Sequence, residues 1–311
     1  MESKQLVGLI DASKYDTLAE AVEEVLELIH FDFKKKMRKI AIKPNLCNYW
    51  ASSTGETTDP KVVEAVVDVL RTRGSPDEVY LVESDATVMK AKYAFRVLGY
   101  EELAQKKNLR LLNLCKDNLL PAEADANISA FNQIRVPKTL TEADLFVSVP
   151  KLKLHSLVGF SCALKNQFGC IPVRKKIDFH KNIHSVIALI NKLITPDLVL
   201  VDGIISRGKT SKRLNLLLAG YDPVAVDFIA AKIAGLSPKR IKYIVESKNM
   251  GVGSTDVECR GDNWLQFANS FPRRGFLYNF SRRSLQRLYY LYLRLFTLEG
   301  RIFKSSPQEM V

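Results

Sequence analysis

The chain has 311 residues with 47% apolar side chains, 26% charged ones and a formal net charge of +12. This allows one large or two modest α/β-sized domains with a sizeable core, and no window reaches the roughly 20 apolar residues of a membrane-spanning helix. Five scattered cysteines, Cys47, Cys115, Cys162, Cys170 and Cys259, form no close C-x-x-C pair, so neither a disulfide framework nor a cysteine-held iron–sulfur cluster is expected.

In chain order, 1-MESKQLVGLIDASKYD-16 carries early charges and no apolar region followed by a cleavage site, which predicts a cytoplasmic protein rather than a secreted one. Residues 17–31 place apolar side chains at helical spacing, with Thr17 as N-cap and Glu20 completing a capping box. A strand over 39–46 stops at Pro44, a polar loop fills 48–59, and a helix starts at Pro60 and ends at Gly74. A strand at 78–86, a helix at 91–107, and strands at 109–114, 132–137 and 144–150 follow. Beyond them the pattern predicts a helix over 180–194, a strand over 197–204, a cationic loop at 206-SRGKTSKR-213, a strand over 214–220 and a helix over 224–235.

This rhythm predicts a layered α/β fold with a mostly parallel sheet and flanking helices over 1–265, as one body or as two lobes meeting near 150. Five strands end in polar residues: Lys43-Pro44-Asn45, Glu83-Ser84-Asp85, Lys151 to His155, Asp202-Gly203 and Asp222-Pro223. In open sheets, ligands gather beyond the carboxyl ends of the strands, so these endings predict a shared crevice; solvation of loops is the plainer alternative.

Three of the four histidines, His155, His180 and His184, fall within thirty residues. His180 and His184 are four apart, so one helix would present both on one face, either to a metal ion or as paired acid/base groups, or else to solvent. Partial burial of Lys165, in 161-SCALKNQFG-169, would depress its pKa and free the amine as a nucleophile or base; otherwise it is a solvated loop lysine. Lys151 and Lys153 alternate with leucines, as at a strand edge or a carboxylate-binding rim. The segment 251-GVGST-255 lacks the context of a dinucleotide fingerprint, so no nucleotide cofactor is expected.

Together, Lys43-Pro44-Asn45, Thr58-Asp59-Pro60, Pro150-Lys151 with Lys153 and His155, Leu164-Lys165-Asn166 with Gly169, Asp202-Gly203-Ile204 and Asp222-Pro223-Val224-Ala225-Val226-Asp227 resemble the family called domain of unknown function 362, from about residue 5 to 260. Many of its members carry a four-cysteine iron–sulfur insertion, which this chain lacks. A fainter resemblance, through His155, Gly159-Phe160-Ser161, Lys165 and His180 or His184, is to the nickel-dependent lactate racemases. It implies a lysine-linked nickel-pincer cofactor and proton-moving histidines.

The resulting expectation is an isomerase- or racemase-like enzyme moving a proton on a small anionic metabolite. His155, Lys165, His180 and His184 would be catalytic, with His180 and His184 as alternative metal ligands. Lys43, Asn45, Asp85, Lys151, Asn166 and Asp202 would bind the substrate, and the cofactor would be a metal ion or a group held by the lysine. Residues 266–311 form a basic tail: Arg and Lys number eight against two Glu over 271–311, and 276–303 mix arginines with Leu, Tyr and Phe at helical spacing. That amphipathic pattern suits a membrane surface or a protein partner, or a helix packed on the core; the alternative function is a non-catalytic binding or scaffold protein docked through it, with nucleic acid ranked third.

Overall fold

The computed structural model describes residues 4–33, 37–121 and 135–273. The chain divides into a unit 1–273 and a unit 274–311, and the second, with the basic helix expected at 276–303, lies outside the described residues. The first half alternates strand and helix: β1 (Gln5–Asp11), α1 (Leu18–Leu28), β2 (Lys39–Pro44), α2 (Pro60–Gly74), β3 (Glu78–Glu83), α3 (Ala91–Val97), α4 (Tyr100–Lys106) and β4 (Arg110–Asn113). β5 (Leu119–Pro121) and β6 (Arg135–Pro137) form a separate antiparallel pair, and α5 (Lys138–Thr141) leads to β7 (Leu145–Val149), β8 (Lys151–His155) and β9 (Gly159–Ser161). α6 (Ala163–Asn166), α7 (Ile183–Leu193), β10 (Leu198–Arg207), β11 (Ser211–Gly220), α8 (Pro223–Ile233), α9 (Lys242–Asn249), β12 (Val257–Gly261) and α10 (Trp264–Ser270) complete it.

The main sheet runs β12-β1-β11-β10-β7-β2-β3-β4, with β8 and β9 added beside the far end of β10. Most pairs are parallel; β11 runs antiparallel to β1 and β10, and β9 to β8. Alternation along each strand divides the core into two layers. Ile40, Ile42, Leu145, Val147, Leu198 and Leu200 pack with α1 to α4 on one face, while Ala41, Phe146, Val199 and Val201 pack with α7 to α10 on the other. Both faces are therefore buried, as expected where helices cover a parallel sheet.

Local signals set several helix starts. Thr17 Oγ1 accepts from Glu20 N, Asp59 Oδ1 from Lys61 N ahead of Pro60, and Asp222 Oδ1 from Val224 N and Ala225 N ahead of Pro223.

Three expectations change in three dimensions. The helix at 91–107 is two helices, because Gly99 at φ 82 takes a left-handed conformation and restarts the chain as α4. The helix at 180–194 begins at Ile183; Lys176–Asn182 form a tighter 3-10 segment, so His180 and His184 do not project from one α-helical face. The cationic stretch 206–213 is no loose loop but the end of the β10–β11 hairpin, with Arg207 paired to Ser211. The sheet also runs unbroken past position 150, since β7 and β8 both pair with β10. The boundary at 265 falls inside α10, whose Phe267 is buried in the core.

Candidate functional site

Charged residues cluster where β2 and β3 end, along β8 and in the second half of β10, and their partners fix the local geometry. Lys43 Nζ lies 2.8 Å from Glu83 Oε2, which also accepts from Leu46 N at 3.1 Å. Lys151 Nζ lies 2.8 Å from Asp202 Oδ2, with the two side chains 1% and 0% exposed. The same carboxylate oxygen accepts from Asp59 N, so this pair latches the start of α2 to β10. Lys153 Nζ donates to the Glu56 carbonyl at 2.6 Å and to Cys47 Sγ at 3.0 Å, and the Glu56 carboxylate bridges it to Arg207. Burial alone would lower the Lys153 pKa, but Cys47 and Glu56 outweigh it and hold the pKa above its usual value. A buried charge is tolerated only with such partners.

Beside these pairs is a cleft of about 180 Å³ between the ends of β2 and β3, the loop after β3, and the segment from α6 to His180. Its lysines are Lys43, Lys165 and Lys176, and its single lining carboxylate is Glu83. Lys176 Nζ donates to Ser84 Oγ and to the Asp85 and Val173 carbonyls, all neutral acceptors, and its burial lowers its pKa although Glu83 opposes the shift. Lys165 is different. Its Nζ sits 4.3 Å from the Phe168 ring centroid and, among the described residues, has no hydrogen-bond or ion-pair partner. Burial, reinforced by the charges of Lys153, Lys176 and Lys43, lowers its pKa to about 8. His180 lies across the same ring, 6.2 Å between centroids, and burial followed by the Lys165 charge lowers its pKa too.

The short helix carrying Lys165 is held from outside itself. Asp227, on α8, accepts from Ala163 N at 2.7 Å and Leu164 N at 3.1 Å, supplying the cap that Cys162 does not. Burial pushes the Asp227 carboxyl up to about 7, against the pull of those two amides. Asn166 Nδ2 donates to the Lys43 carbonyl and to Ser148 Oγ, tying the helix to β2 and β7. At Gly169 a Cβ would come within 2.7 Å of Lys43 Nζ, so only glycine lets this backbone close against the Lys43–Glu83 pair.

Lys43, Asn45, Lys165, Asn166 and His180 thus meet at one cleft, while the other candidates lie elsewhere. His155 ends β8 and does not line the cleft; its Nδ1 accepts from Leu157 N within the β8–β9 turn. His184 stacks on Tyr243 and lines a second cavity, whereas His180 lines the first. Asp85 spends its carboxylate on Ala91 N and Asn113 Nδ2, and Lys151 and Asp202 occupy each other. No group of three or more His, Cys, Asp or Glu able to hold a metal occurs among the described residues. Lys176 escaped sequence reasoning. Lys176 sits in 171-IPVRKKID-178, which has no strand or helix periodicity, and only its closeness to the Lys165 segment hinted at it.

A lactate racemase apoprotein from Thermoanaerobacterium thermosaccharolyticum aligns with TM-score 0.45 and 12% identity, over 75% of this chain and 57% of that one. The Thylakoid-associated protein sll1697 of Synechocystis sp. is 26% identical over 284 residues, 86% of this chain and 84% of that protein. The family model described as Domain of unknown function (DUF362) matches residues 40–232, which carry the cleft and its buried ion pairs, and the chain belongs to this family.

Proposed function

We propose that the cleft is a catalytic site that moves a proton on a small anionic metabolite, with Lys165 and His180 as the two proton-carrying groups. One observation carries this reading. Among the described residues the four buried lysines, Lys43, Lys151, Lys153 and Lys176, hold acceptors, whereas the part-buried Lys165 holds none and has a pKa lowered to about 8. Three lysines against one carboxylate favour an anion, and about 180 Å³ limits it to a few heavy atoms beyond the carboxylate.

At neutral pH, burial keeps His180 uncharged while Lys165 is still largely ammonium. His180 takes the proton from the carbon next to the carboxylate, and Lys165 Nζ returns one to that carbon. This leaves imidazolium and free amine, which then serve the reverse direction. Lys176 offsets the charge that develops on the substrate oxygens. The nickel-pincer group implied by the fainter resemblance would find an attachment amine in Lys165, but only one imidazole lines the cleft. The donor set does not fit such a metal centre, and the proton steps do not use one.

The test is deuterium incorporation. Short 2-hydroxy, 2-amino and 2-oxo acids are incubated in D2O with the protein and followed by proton NMR. At least one should exchange its carbon-bound proton, with a bell-shaped pH profile whose upper limb lies near pH 8. Lys165→Met and His180→Ala should each slow exchange about a hundredfold or more while remaining folded. Equal exchange in folded variants, or no exchange with any acid, removes the reading.

A second reading is favoured by the hairpin tip, where Lys209, Lys212 and Arg213 are exposed together. We propose that this tip rests on an anionic membrane surface, an association consistent with the thylakoid association named for the relative. No helix among the described residues is long and apolar enough to cross a membrane, so such contact would be peripheral. Vesicles containing phosphatidylglycerol should pull down the protein at low salt, and the charge-reversed Lys209→Glu, Lys212→Glu, Arg213→Glu variant should stay in solution. Equal pull-down of both, or DNA competing as well as the vesicles, would end it.

A further inference from the structure

A second cavity, of about 500 Å³, opens between the β8–β9 turn, α7 and the start of α9, and shares no lining residue with the lysine cleft. Its apolar wall is Leu157, Val158, Leu236 and Ile241, and its polar wall is His184, Ser237, Arg240 and Lys242. No carboxylate lines it. Arg240 and Lys242 are exposed and, among the described residues, have no ion-pair partner for their side chains. His184 lies flat on Tyr243, 6.1 Å between centroids, and its Nδ1 is buried with no hydrogen-bond partner there. Leu157, on the β8–β9 turn, is 47% exposed and leaves part of the apolar wall open to a ligand.

An apolar wall facing a small set of convergent polar groups, at a volume of this order, is the usual build of a small-molecule site. Here two of the polar side chains are cationic, one is protonatable and Ser237 is a neutral hydroxyl, which disfavours a cation and favours an anion. A lone inorganic anion would leave the Leu157, Val158 and Ile241 surface wet. We infer that this cavity binds an organic anion with an apolar body, the anionic group between Arg240 and Lys242 and the body against Leu157 and Ile241. The arginine can grip a carboxylate or a phosphate ester through two parallel N–H bonds, and Lys242 adds a point charge. The ring of His184 forms the floor beneath, and the start of α9, whose N-cap Ile241 offers no side-chain acceptor, opens on the same space.

The experiment uses the full chain and three probes: para-trifluoromethylbenzoate, para-trifluoromethylphenyl phosphate and inorganic phosphate. Fluorine NMR should show saturable binding of one or both aromatic anions, and inorganic phosphate should compete at least about tenfold more weakly. The Arg240→Ser, Lys242→Ser double variant, altered only at exposed positions, should weaken binding about tenfold or more, whereas Lys165→Met should leave it unchanged. The charged groups facing His184 are Glu246 and Lys242 on α9 and Arg240 before it, so a bound anion should raise its titration midpoint and leave that of His180 alone. Loss of binding in Lys165→Met would place the probe in the lysine cleft and overturn the assignment. So would unchanged binding in the double variant, inorganic phosphate competing as well as the aromatic anions, or no saturable binding of any probe.

Discussion

Two sets of lysines meet burial in different ways. Lys43, Lys151 and Lys153 project from strands at the sheet's carboxyl edge, and each has a carboxylate within reach, from Glu83, Asp202 and Glu56. Lys165 and Lys176 lie on the irregular segment after β9 and have none, so burial lowers both pKa values. The first set welds loops to strands: Lys151–Asp202 fastens the start of α2, and Lys153–Glu56 the loop before it. The second set leaves uncompensated charge in a cleft. A paired lysine therefore stabilises the scaffold, and an unpaired one is held in place by the rest of the fold at some cost, which is the arrangement chemistry needs.

The sharpest way to break this contrast is to strand a lysine of the first set. Asp202→Ala leaves the Lys151 ammonium buried without its partner and should cost about 3–5 kcal/mol in denaturant unfolding, while the Lys151→Met, Asp202→Leu double variant should recover most of the loss. If the single variant is as stable as the parent, the pair is no weld.

The scaffold's hold on the second set is open to titration. Asp227 has a folded pKa of about 7 against 3.8, so the folded state binds more protons than the unfolded one between those values. Its contribution is complete below about pH 4 and fades as pH rises through 7, by on the order of 4 kcal/mol. Melting temperatures against pH should therefore converge with those of Asp227→Asn at the acidic end and diverge toward neutrality, with the parent losing ground. A constant offset across the range would mean that the carboxyl is not the titrating group.

The smallest effect is expected at Lys165. Its removal breaks no hydrogen bond or ion pair among the described residues, so Lys165→Met should change stability by no more than about 1 kcal/mol at pH 7, or raise it. Because its folded pKa lies below the unfolded value, the parent should gain stability as pH climbs from about 8 toward 10.5, and the variant should lack that gain. A loss as large as that of Asp202→Ala would erase the distinction between the two sets.

The same division explains which site residues were legible. Lys43, Asn45 and Asn166 were readable because they follow strands or sit in a dense polar stretch, and Lys165 because apolar neighbours surround it. His155 and His184 looked equally suitable, yet one ends in a turn and the other faces a separate cavity. Their spacing implied a continuous helix, and the 3-10 segment Lys176–Asn182 removed it by delaying the α-helix to Ile183. Lys151 and Asp202 were read as substrate ligands, and nothing in the sequence around them says whether a buried charge meets a ligand or, as here, another side chain.

By itself the sequence determined what rests on neighbours three or four residues apart: the strand–helix rhythm, the caps at Thr17, Asp59 and Asp222, and the polar character of each strand end. Only the tertiary structure decided which charges cancel. Lys43 meets Glu83 across 40 positions, Lys151 meets Asp202 across 51 and Lys153 meets Glu56 across 97, while Lys165 meets no acid among the described residues. Charge pairing depends on distance in space and on local desolvation, and neither follows from separation along the chain.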